Sequence, residues 1–91
     1  MATAEHEEGL VTAPFMLVVA PGCGTCDWLF AVMRTFGSKV ETPVFRWGFR
    51  TKREARVAGR AATLVLCALY GSAGREIRWL GNVTKTLEMA G

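Results

Sequence analysis

The chain has 91 residues, a formal net charge of +3, and 51% hydrophobic against 21% charged residues. That length holds one domain, and the balance excludes a disordered polyelectrolyte. Three cysteines, a small and odd number, exclude a secreted disulfide scaffold. The longest apolar run near the start, residues 15–21, is far short of the ~20 residues that cross a membrane.

Residues 1–12 carry Glu5, Glu7 and Glu8 and no Lys or Arg. They read as a polar tail ahead of a single domain at 13–91. The acidic start lacks the basic segment of a secretory leader, so a cytoplasmic location is expected. In that compartment a close cysteine pair reads as redox-active or metal-binding. Residues 15–20 form a short apolar run that ends at Pro21-Gly22, which predicts a strand covered on both faces. Leu29, Val32, Met33 and Phe36 then fall at i, i+3, i+4 and i+7, which predicts an amphipathic helix over about 24–36 that stops at Gly37.

Residues 41–49 predict a half-buried strand that begins at Pro43 or lies at an edge. Thr51 with Glu54 three positions on is a capping box for a helix over 51–59. Residues 63–70 read as a central strand. With 75–80 across the Gly71–Gly74 turn, they predict a β-hairpin. Asn82 can cap a last helix in which Val83, Leu87 and Ala90 repeat. The expected fold is α/β, in the order β-α-β-α-β-β-α, with a mixed four-stranded sheet and helices on both faces.

The chemistry-bearing motif is Cys23-Gly24-Thr25-Cys26. At the start of a helix, the first thiol of such a pair lies near unsatisfied N–H groups and the positive end of the dipole. Both favour the thiolate, which is the species that attacks a disulfide. Cys23 is therefore the expected nucleophile and Cys26 the resolving thiol. Gly22 and Gly24 leave the sulfur open to a partner. Cys67 sits in an apolar run, His6 lies in the tail, and there is no second CxxC, so no metal site within one chain is expected. Cys67 reads as a small buried hydrophobe. Trp28 and Phe30 fall outside the apolar stripe and could rim the dithiol. Between 46 and 60, Arg46, Arg50, Lys52, Arg53, Arg56 and Arg60 face a single acid, Glu54. That stretch reads as a solvated helix face or as a surface that steers an acidic partner. No base-stacking pattern accompanies it, so nucleic acid is not expected.

From Phe15 to the C-terminus the chain resembles the thioredoxin superfamily, at a compact glutaredoxin-like size. The resemblance rests on residues 17–26 (LVVAPGCGTC), on 59–66 (GRAATLVL), and on Gly74 and Gly81. It implies a disulfide oxidoreductase acting on protein disulfides, with a reductase or thiol electron donor, no cofactor, and a monomeric state. It implies substrate binding at Gly22, Gly24, Thr25, Ala62 and Thr63. Ala62 stands where the family places a cis-proline, and a trans bond is expected there because a cis bond at alanine costs ~3–4 kcal/mol. Leu17 stands in place of the buried acid and Gly22 in place of an aromatic. The glutathione-binding pattern is not evident, although Arg60 and Gly81-Asn82 lie where such contacts could form. Without the proline ring to screen the sulfurs, an alternative opens: a non-enzymatic module holding a metal or iron–sulfur cluster between two chains, or an acidic partner on the basic stretch.

Overall fold

Strand β1 (Phe15–Pro21) is apolar throughout because both its faces are covered. Phe15, Leu17 and Val19 join one buried cluster with Phe30, Val32 and Ala55, while Met16, Val18 and Ala20 join a second with Ala31, Met33 and Ile77. The structure is a computed structural model and describes residues 13–22, 27–36, 38–81, 85, 86 and 88. The described elements run β1, β2 (Trp28–Phe36), β3 (Lys39–Phe49), α1 (Lys52–Tyr70) and β4 (Gly74–Ile77). They build an α/β domain with a mixed four-stranded sheet in the order β3-β2-β1-β4. β1 and β2 pair antiparallel from Met16↔Met33 to Pro21↔Trp28, and β2 and β3 are also antiparallel. β4 lies parallel to β1.

The helix predicted over about 24–36 is β2 from Trp28 onward. Every residue from Trp28 to Met33 is apolar, and such a run satisfies helical spacing without being helical. As a strand it turns Phe30 and Val32 toward α1, and Ala31 and Met33 toward the other face. Pairing with β1 across a short hairpin decides the matter. The strand predicted over 63–70 is likewise overturned. α1 continues through it to Tyr70, so the expected hairpin with 75–80 does not form, and the order β-α-β-α-β-β-α gives way to β-β-β-α-β among the described residues. One helix, α1, packs on the sheet. Lys85, Thr86 and Glu88 are helical, in the region where a last helix was expected.

Other expectations held. β3 is an edge strand, as Pro43 requires. It carries an irregularity opposite Trp28 and Leu29, beside Gly48 at φ 91°, the positive φ of a glycine bulge. Thr51 caps α1, its Oγ1 accepting from the Glu54 N–H at 3.1 Å. Glu54 reaches back to the Arg50 N–H at 3.2 Å rather than to that of Thr51, so the box closes one residue early. The helix ends at Gly71, left-handed at φ 64°, with the Gly71 and Ser72 N–H groups both donating to the Cys67 carbonyl. No described helix is long and apolar enough to cross a membrane.

α1 sits close to the sheet at two glycines. A β-carbon at Gly59 would lie 2.5 Å from Leu17 Cδ1 and 3.1 Å from Phe30 Cγ. One at Gly74 would lie 2.6 Å from Thr63 Cγ2 and 2.8 Å from Cys67 Sγ. At the C-terminal end of α1, Arg34 is buried and bonds Glu41 at 3.0 Å. Its guanidinium lies 4.9 Å from the Phe15 ring centroid and 5.0 Å from that of Tyr70, so two aromatic faces and a carboxylate compensate a charge that burial would otherwise penalise. Gly59→Ala gains up to ~1 kcal/mol of helix propensity but overpacks the seam. We expect a net loss of roughly 1–2 kcal/mol in urea denaturation. A stability gain would mean that Leu17 and Phe30 yield at no cost.

Candidate functional site

Pro21 pairs with Trp28, and the Gly22 N–H donates to the Asp27 carbonyl at 2.6 Å. The two ends of the segment bearing the dithiol are thus held together at the end of a β-hairpin. Cys23, Gly24, Thr25 and Cys26 themselves lie outside the described residues. The helix expected after Cys26 is not found from Trp28 onward, where the chain is β2.

The positive end of a helix is nonetheless close by. A cleft of about 460 Å³ lies where β1 gives way to the hairpin, and Pro21 and Trp28 line it. Its other walls include Lys52 and Arg56 from the first turns of α1, and Glu76, Arg78 and Trp79 from β4 and the residues after it. Lys52 Nζ stands 5.8 Å from the Trp28 ring centroid. Glu76 is the one acid among the described residues of this wall, and it is bound by Arg56 at 2.8 Å and by Arg60 at 3.2 Å. Three cations against one carboxylate give the described lining a net positive charge. An anion entering the cleft meets these side chains together with the N-terminal dipole of α1.

The remaining expected site residues separate. Gly22 is half-buried at the hairpin. Ala62 and Thr63 lie in the middle of α1. Ala62 packs on the core, and Thr63 is buried with its hydroxyl donating to the Gly59 carbonyl at 2.8 Å. They are the sheet-facing side of a helix, about 15 Å along it from Lys52, not a loop facing the dithiol. The setting expected of both, a loop leading into a strand, is therefore corrected to the middle of a helix. No described peptide bond is cis. Phe30 is 3% exposed beneath α1, so it is core and not rim, whereas half-buried Trp28 does line the cleft. Cys67, expected in a strand, is a half-buried free thiol on α1, packed against the core.

The basic stretch divides. Lys52 and Arg56 enter the cleft wall, Arg60 meets Glu76 from outside that lining, and Arg46 bonds its neighbour's carbonyl at Phe45. The sequence reading missed Glu76, Arg78 and Trp79, because only the parallel pairing of β4 with β1 brings them here. A second groove, of about 370 Å³, lies on the sheet face away from α1 and is walled chiefly by Val18, Leu29, Met33, Phe45 and Trp79. Among the described residues no group of three or more His, Cys, Asp or Glu could hold a metal ion. No protein-family model, curated protein or solved structure matches the chain.

Proposed function

We propose that Cys23 and Cys26 are a redox dithiol that exchanges with the disulfide of an acidic protein partner seated in the cationic cleft. The observation that carries this reading is the hairpin closure at Gly22 and Asp27 beside Lys52, Arg56 and Arg78. Cationic surroundings favour a thiolate, and here α1 and the residues around β4 supply them in place of a helix of the dithiol's own. The Cys23 thiolate attacks one sulfur of the partner disulfide, forming a mixed disulfide and releasing the other sulfur as a thiolate. Cys26 then attacks Cys23 Sγ, freeing the second partner thiol and leaving a Cys23–Cys26 disulfide. Two electrons pass to the partner, and a thiol donor restores the dithiol. What remains of the thioredoxin resemblance in this reading is the dithiol and its chemistry; Ala62 and Thr63 take no part.

The hairpin favours one further reading. Two thiols between the paired ends of β1 and β2 could supply half of a tetrahedral sulfur site, and a second chain could complete it. Half-stoichiometric zinc or iron in protein purified anaerobically, lost from Cys23→Ser, would select this non-enzymatic role. Colourless, metal-free protein with titratable thiols would select exchange.

If exchange is correct, Cys23→Ser abolishes reduction of a model protein disulfide, and Cys26→Ser accumulates a mixed disulfide visible as a mass increase. A wild type inert toward protein and small aromatic disulfides alike would refute it. The cleft is tested separately. Combining Lys52→Glu with Arg78→Glu should slow reaction with an anionic aromatic disulfide by roughly 10-fold while changing that with a neutral disulfide less than about twofold. Equal slowing of both would remove the electrostatic role.

A further inference from the structure

α1 is apolar on two opposite sides. Ala55, Gly59 and Thr63 are buried against the sheet. On the far side Val57, Ala61, Leu64 and Ala68 are exposed, with Val57 62% and Leu64 70% accessible, and Val65 and Leu69 widen the patch. The spacing from 57 to 61 to 64 to 68 is four, three, four, which is the seam of a two-helix packing. A helix face that is apolar is ordinarily buried, and among the described residues this helix is buried by the sheet on one side only.

The charge along α1 selects the occupant. Its cations, Lys52, Arg53, Arg56 and Arg60, all lie in the first nine residues, and no charged residue follows between Ala61 and Tyr70. The last turn holds no basic side chain to answer the negative end of the dipole. A second, antiparallel α1 supplies what each half lacks. Centring the contact between Ala61 and Leu64 sets Ala61 against the partner's Leu64 and Val57 against the partner's Ala68. Arg53 then meets the carbonyl end of the partner helix. A parallel pair would instead stack four cations on four.

We propose that the chain self-associates as a two-fold dimer through the exposed stripe of α1, with the helices antiparallel. The test is the mass of the full chain by sedimentation equilibrium across micromolar to millimolar concentration. Wild type is expected to shift from monomer to dimer. Leu64→Glu should weaken that association by at least roughly 30-fold, with an unchanged circular-dichroism spectrum. Val57→Lys, at a second exposed position, should do the same, so that misfolding of one variant does not decide the outcome. Adding Ala61→Arg to Leu64→Glu should restore the dimer, because an antiparallel seam sets these positions face to face. A wild type that stays monomeric, or a dimer indifferent to both single substitutions, overturns the proposal. Failure of Ala61→Arg to rescue overturns the antiparallel arrangement.

Discussion

The close seat of α1 on the sheet is the contact on which the rest of the structure depends. At Gly59 the helix backbone meets Leu17 and Phe30 with no room for a side chain, and at Gly74 the start of β4 meets Thr63 and Cys67 in the same way. Contact at both places fixes the helix against β1, β2 and β4 at once. It also sets where the first turns of α1 arrive. Lys52 and Arg56 reach the end of β1 because the seam behind them is tight, and Arg56 is held there by Glu76. The cationic cleft is therefore a consequence of core packing rather than a separate surface feature.

How much of this was legible in the sequence depended on whether a local signal had one meaning. The cap at Thr51 did, since a side-chain oxygen before a basic, acid-bearing first turn has few other uses, and the bond to Glu54 is present. The two-sided burial of β1 was legible from its unbroken apolar run. The same property misled at β2, because six consecutive apolar residues fit a helical stripe as well as a strand, and only pairing with β1 and β3 separates the two. It misled again at 63–70, where an apolar run read as a strand and the preceding helix was expected over 51–59 only. Gly59 is a close-approach residue inside the helix, and the stop is Gly71, whose positive φ a glycine tolerates. The cysteine motif was plain, but its setting was not, because its setting was inferred from the helix that β2 replaces. Arg78 and Trp79 were invisible as site residues, since nothing local announces a parallel partner for β1 some sixty residues away.

The electrostatic consequence of that replacement is a change of source, not of sign. A cysteine at the head of its own helix would be stabilised by the amides of the turn it belongs to. Here the positive end belongs to α1, joined to the dithiol hairpin only through space, and side-chain cations add to it. Charge supplied by solvated side chains is screened by salt more than charge supplied by buried groups. Under the proposed exchange, reactivity built this way would respond to ionic strength, and an acidic partner would neutralise the lining as it docked, so that exchange and docking would draw on the same few cations.

The two ways a second chain could enter are geometrically incompatible at one interface. An antiparallel pairing of α1 sends the N-terminal ends of the two helices in opposite directions. A 19-residue helix is about 28 Å long. The paired ends of β1 and β2 beside Lys52 on each chain therefore sit toward opposite ends of the pair, whereas four sulfurs sharing an ion at ~2.3 Å each would need the two CxxC segments to meet. A metal held between dithiols needs the hairpins to face each other, and that contact leaves the apolar stripe of α1 in water. Burial of the stripe is the hydrophobic demand written along the whole helix, whereas the metal contact involves only the hairpin ends. A dimer formed through α1 thus leaves the cleft lined by Pro21 and Trp28 on each chain uncovered, which is compatible with the proposed exchange.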